Sequence, residues 1–114
     1  MDNRDKEILL KILKHAEHAV GYASKHADRD SFESDEMCVE ATVFNFMQIG
    51  ELAKTSLSDE LKESLKSIPW NQIYGMRNRI VHGYDGVNLS IVWDTLKDDI
   101  PELIAEIKKI CESQ

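Results

Sequence analysis

Apolar side chains recur at helical spacing along most of this chain. Between Asp5 and about Ala27, the residues Ile8, Leu9, Ile12, Leu13, Ala16, Ala19, Val20 and Ala23 share one face, while Lys6, Lys11, Lys14, Glu17 and Lys25 fall mostly on the other. That spacing predicts an amphipathic helix of about six turns. The polar run HADRDSFESDE then breaks the period, and Ser34 followed by Asp35 and Glu36 reads as a helix start.

The second predicted helix, about Asp35 to Ser56, is apolar on more than one face. Met37, Val39, Val43, Phe44, Phe46, Met47, Ile49 and Leu52 cannot all point in one direction, so it is either central to a bundle or shared with a partner subunit. The sequence favours the partner, because a bundle this small rarely needs so much apolar surface on one member. Ser58 can cap a short helix through Leu61 and Leu65. Pro69 can occupy the first turn of a fourth helix, from Pro69 to about Val81, where its missing N–H costs little. That helix stops near Gly83. Asp85, Gly86 and Asn88 form a turn, and Asn88 caps a last helix from Leu89 toward Cys111. Pro101 falls inside that last segment and predicts a kink or restart after Ile100. The expected fold is all-α, an up-and-down bundle of four to five helices occupying residues 1–114 as a single domain.

Composition narrows the class. With 42% hydrophobic and 31% charged residues, the chain is globular rather than disordered. No apolar run approaches the ~20 residues that span a bilayer, and the N-terminus is acidic where a secretory signal is basic. A cytoplasmic location without membrane contact is expected. Cys38 and Cys111 form neither a disulfide framework nor a metal-spaced pair, and Cys38 reads as a buried free thiol. The net charge of −7 opposes binding of DNA or RNA by the surface as a whole. Its distribution changes that picture: Pro69 to Tyr84 contains no acid, and Arg77, Arg79 and His82 all lie there. A positive strip on an acidic body suits contact with phosphates at one place, although a core helix also excludes acids.

The chemistry concentrates in Gly75-Met76-Arg77-Asn78-Arg79-Ile80-Val81-His82-Gly83-Tyr84. Ile73, Met76, Ile80 and Tyr84 define a buried stripe, and Arg77 lies on or beside it. A guanidinium there is costly unless something pairs with it or water reaches it. His82 follows Arg77 by five residues, which on a continuous helix turns it ~140° away. The two converge if the helix ends before His82, and Gly83 is the residue type that ends helices. Such a pair suits metal-independent RNA cleavage. A neutral imidazole accepts the 2′-hydroxyl proton, and a planar guanidinium binds the charge that develops on phosphorus. Asn78 can hold the phosphate or orient the ring. No cofactor is called for, and no cluster of carboxylates and histidines suggests a metal. A satisfied structural histidine is the plainer alternative.

Arg77-Asn78 with His82-Gly83-Tyr84 resembles the R-N-x-x-x-H-x-Y motif of the HepT-like proteins, a branch of the HEPN superfamily. Gln48-Ile49-Gly50-Glu51, Ile68-Pro69-Trp70 and Val92-Trp93 are similar to that family's flanking landmarks, so the resemblance runs from the second helix to the last. It implies a homodimer whose two motifs face one another across a composite RNA-cleaving cleft, with Arg77 and His82 catalytic and Asn78 supporting them. It also implies a type VII toxin–antitoxin pair. The partner there is MntA, a small nucleotidyltransferase antitoxin that uses ATP to attach AMP to the motif tyrosine, here Tyr84. A bulky anion two residues from His82 would block RNA and repel its phosphates.

Other residues have two readings each. Glu51 can pair across a dimer with a basic residue or simply face solvent. Arg79 is offset from Arg77 by ~200° and faces solvent or substrate. His15 and His18 share a helix face but lack a third metal ligand, and His26 has no evident partner. Trp70 and Trp93 are expected to seal the bundle around the motif helix, or one of them to stack on a base. The alternatives to a ribonuclease are a non-catalytic helical subunit that binds and regulates a nucleotidyltransferase, or a plain nucleotide-binding helical domain.

Overall fold

The computed structural model describes residues 1–83 and 86–113. Among them, the elements run α1 (Asn3–Ala23), α2 (Arg29–Glu33), α3 (Glu36–Thr55), α4 (Asp59–Ser64), α5 (Trp70–His82), α6 (Leu89–Asp94), a π-helical turn (Thr95–Asp99) and α7 (Ile100–Glu112). There is no strand among the described residues, so the chain is all-α as its periodicity predicts. α3 packs against both α1 and α5, and α7 closes on the other side of α1.

Caps fix most of the helix starts. Asp2, Asp28, Asp35, Ser58 and Asn88 each accept a hydrogen bond from a backbone N–H in the first turn of the helix that follows, satisfying donors that a helix end leaves unpaired. The cap at Asp2 starts α1 two residues before the Asp5 expected from the pattern, and the helix stops at Ala23 rather than Ala27. The polar run after α1 is not all loop. α2 forms within it and buries Phe32 completely.

Two hydrogen bonds tie the start of the chain to its middle. Asp5 is buried on α1, and its carboxylate accepts from the Ser58 N–H at 3.0 Å and the Ser58 hydroxyl at 2.6 Å. Ser58 Oγ in turn accepts from the Leu61 N–H, so one residue caps α4 and anchors α1.

Pro101 gives the predicted restart. The chain widens into the π turn at Thr95–Asp99 and resumes as α7 with the proline in its first turn. Proline has no N–H and its ring presses on the carbonyl four residues back, here Lys97, which lies inside the widened turn. The Thr95 hydroxyl also donates to the Ile91 carbonyl at 2.7 Å, a side-chain bond that competes with the helical ladder.

α3 is central, and still keeps an uncovered apolar stripe. Val39, Val43, Phe46, Ile49 and Ala53 are buried between α1 and α5, while Met37 is 82% and Phe44 51% exposed. The helix is thus central to the bundle, and Met37 and Phe44 stay uncovered within the single chain.

Candidate active site

Arg77 begins as a packing problem. Gly50 on α3 faces it, and a Cβ added to Gly50 would overlap Arg77 Cβ, come within 2.9 Å of its Cγ, and lie 3.3 Å from the Ile73 carbonyl oxygen. α5 therefore crosses α3 over a position with no side chain, as close backbone approach requires. The arginine stem lies in that gap and carries its guanidinium to the next residue of α3.

There the guanidinium is paired. Nε donates to Glu51 Oε2 at 2.8 Å and Nη2 approaches the same oxygen at 2.6 Å, while Nη1 donates to Asn78 Oδ1 at 3.0 Å. Arg77 retains 21% side-chain exposure and Glu51 41%. The cost of a cation beside the α5 stripe is thus met within the chain, by a carboxylate, a carboxamide and partial contact with water. Glu51 is engaged by Arg77 of its own chain while staying partly exposed, a pairing that neither sequence reading named. Nε and one Nη1 N–H donate in hydrogen bonds and Nη2 is in ion-pair contact, so each terminal nitrogen keeps at least one free donor.

His82 is exposed and is the last residue of α5. Gly83 ends the helix one residue later than convergence with Arg77 within one chain requires. On the continuous helix the two side chains leave the axis ~140° apart. Gly83 has φ 172°, an extended conformation open to any residue, and its N–H donates to the Arg79 carbonyl. The stop is a C-terminal cap, not a left-handed turn. Tyr84, the expected site of AMP attachment, and Asp85 of the expected turn lie outside the described residues.

The rest of the motif helix divides by face. Ile80 is buried and Ile73 and Met76 are half-buried, as the stripe predicts. Arg79 is exposed at the edge of a 430 Å³ groove floored by Phe46, Ile49 and Leu103, with Asn71 and Gln72 also at its margin. Trp70 sits at the helix start, where its indole N–H is shared between the Lys62 and Leu65 carbonyls at 3.1 and 3.2 Å. This bond locks α4 to α5. Trp93 does not seal the motif helix. It packs on Phe32 of α2, with centroids 5.3 Å apart, and the Lys97 ammonium lies 4.5 Å over its ring.

The remaining histidines are engaged. His15 Nδ1 lies 2.8 Å from Asn45 Oδ1, and His15, His18, Tyr22, Met37 and Phe44 border one shallow depression. His26, without a partner in the sequence reading, has two: its Nδ1 is 2.6 Å from Ser31 Oγ and its Nε2 is 3.0 Å from Asp35 Oδ2. Ser31 lies on α2, the helix missing from the predicted pattern, and the pairing was invisible for that reason. No described helix is long and apolar enough to cross a membrane.

The ribonuclease HepT-like family model matches residues 6–110. A candidate RNase of Caldanaerobacter subterraneus subsp. tengcongensis is 36% identical over 85 residues, covering 75% of each chain. A second candidate RNase, from Methanocaldococcus jannaschii, is 32% identical over 111 residues, covering 96% of this chain and 94% of the relative. A protein named probable ribonuclease HepT, from Thermococcus cleftensis, is 32% identical over 80 residues, covering 67% of this chain and 72% of the relative. No solved structure matches. Described from the Gly50–Arg77 crossing outward and matched along nearly its whole length, the chain belongs to the ribonuclease HepT-like family.

Proposed function

We propose that this chain is the ribonuclease toxin of a type VII toxin–antitoxin pair and cleaves RNA without a metal, using Arg77 and His82. The observation that carries the reading is the state of Arg77. It is held by Glu51 and Asn78 with two N–H donors unspent, on the same helix that ends in an exposed histidine. Those donors can bind two oxygens of one phosphate.

In the reaction, neutral His82 takes the proton from a 2′-hydroxyl as that oxygen attacks phosphorus. The bond to the 5′-oxygen breaks, and the leaving oxygen takes a proton from water. The added negative charge on phosphorus falls to Arg77. Because the two side chains diverge on one helix, the active unit is a symmetric pair of chains with their α5 helices facing. Arg77 of one copy and His82 of the other then flank the same phosphate. RNA meets the acid-free strip rather than the acidic body. An MntA-like nucleotidyltransferase restrains the toxin by attaching AMP to Tyr84, next to the catalytic ring.

The test is induced expression in bacteria of the wild type and of His82→Ala, without the partner gene, followed through growth and total RNA. Arrest with degraded RNA in the wild type alone supports the reading. Intact RNA and normal growth in both, with soluble folded protein present, overturns it in favour of a non-catalytic subunit that regulates a nucleotidyltransferase.

A further inference from the structure

We propose that His26, Asp35 and Cys38 form a binding site for one zinc-like divalent cation at the corner where α1, α2 and α3 meet. One ligand atom from each residue lies within 4.8 Å of the others. Around a tetrahedral Zn2+ such atoms stand about 3.5 Å apart, given bonds of roughly 2.0–2.3 Å. The site therefore needs a contraction of about 1 Å and no rearrangement of helices. His26 Nε2 and Asp35 Oδ2, hydrogen-bonded at 3.0 Å, need to part by only about 0.5 Å to stand as two ligands on one ion.

The surroundings are built as a support shell. Ser31 Oγ engages the other imidazole nitrogen at 2.6 Å, which presents Nε2 to the cation. The ring is held edge-on against buried Phe32. Asp35 Oδ1 is fixed by the Cys38 N–H at 3.1 Å, leaving Oδ2 to coordinate. Cys38 is buried in the first turn of α3, and its thiol donates to the Tyr22 carbonyl at 3.3 Å. Burial pushes that thiol up, so a bound dication would supply the charge that draws its proton off. The buried Thr42 hydroxyl, one turn on, stands beside the Cys38 thiol and would donate to a metal-bound thiolate. Lys25 Nζ, 3.3 Å from Asp35 Oδ2, is the one cation in the way, and its side chain is 63% exposed and free to leave.

The donor set selects the metal. Nitrogen, sulfur and one carboxylate oxygen suit Zn2+ or Co2+, whereas Mg2+ and Ca2+ require oxygen shells. Binding breaks the Cys38 S–H bond and releases that proton to solvent. The thiolate and carboxylate then neutralise the dication, and a fourth position remains for water on the exposed side of Asp35. The site is a clip on the fold, separate from RNA cleavage. Cys38 and Glu51 are 13 residues apart on α3, about 20 Å along the axis.

The experiment is titration of the purified full chain with Co2+. One Co2+ per chain with a sulfur-to-metal charge-transfer band and tetrahedral d–d bands is expected. The band should vanish in Cys38→Ser and His26→Gln and persist in Cys111→Ser. Ser31→Ala should weaken binding roughly ten- to a hundredfold. Saturating Zn2+ should protect Cys38, and not Cys111, from iodoacetamide in the wild type, a readout that needs no variant to fold. A wild type that is folded but gives no charge-transfer band, a band that survives Cys38→Ser, or Cys38 labelling indifferent to Zn2+ overturns the site. None of these outcomes depends on ribonuclease activity.

Discussion

Glu51 Oε2 takes both Nε and Nη2 of Arg77, at 2.8 and 2.6 Å, so one carboxylate oxygen sets the direction in which the guanidinium points. The other edge of Arg77 is turned to Asn78. Removing Glu51 has two separable consequences. Glu51→Ala should lower stability by only about 1 kcal/mol, since both partners reach water. RNA cleavage should fall much further, because the edge of Arg77 proposed to bind phosphate loses its orientation. Urea unfolding and single-turnover cleavage measure the two losses. Equal losses would reduce Glu51 to a structural partner.

His82→Ala should leave the fold intact. The side chain is exposed at the end of α5, and the stability change should stay within about 0.5 kcal/mol. Cleavage should drop by roughly 10²- to 10⁴-fold, the usual worth of a positioned general base. Thermal unfolding beside a cleavage assay decides it, and a melted protein would return His82 to a structural role.

Gly50→Ala should destabilise by about 1–3 kcal/mol, because the new methyl meets Arg77 Cβ, an atom fixed to the α5 backbone that cannot swing aside. Gly75→Ala is the control on the motif helix itself. Nothing lies within 4 Å of its added Cβ, and it should gain up to ~1 kcal/mol of helix propensity. Opposite signs in paired denaturation curves are the expected result.

Asp5→Ala should cost about 2–3 kcal/mol, since it removes an ionised acceptor and leaves the Ser58 N–H without its partner. Ser58→Ala should cost a comparable amount, through lost anchoring of α1 and the lost cap on α4. A double-mutant cycle in urea should show strong coupling between the two sites.

Burial pushes the Cys111 thiol above its ordinary value of 9.0, with Lys6 pulling weakly the other way. The folded state then holds this proton longer than the unfolded chain. Its contribution to stability is complete below pH 9.0 and is withdrawn as pH rises through the raised value. Cys111→Ser should flatten that alkaline decline in a series of melts above neutral pH.

What the sequence made legible follows from physics that acts locally. The stripes of α1 and α5, the caps at Ser58 and Asn88, and the restart at Pro101 are written within a turn or two of themselves. α2 escaped because a single buried Phe32 in a polar run has no period to detect. The Glu51–Arg77 pair spans 26 residues of chain and needs the α3–α5 crossing, for which Gly50 was the only trace. Of the two partners of His26, Ser31 required a helix that the pattern had missed. Tyr84 lies outside the described residues, and its assignment rests on the motif alone.

The packing of α1 against both α3 and α7 carries a timing consequence. During synthesis α1, α3 and α5 leave the ribosome first and can associate, yet α1 lacks part of its final cover until α7 emerges. A partly made chain therefore exposes apolar surface and holds its motif helix in an unfinished bundle.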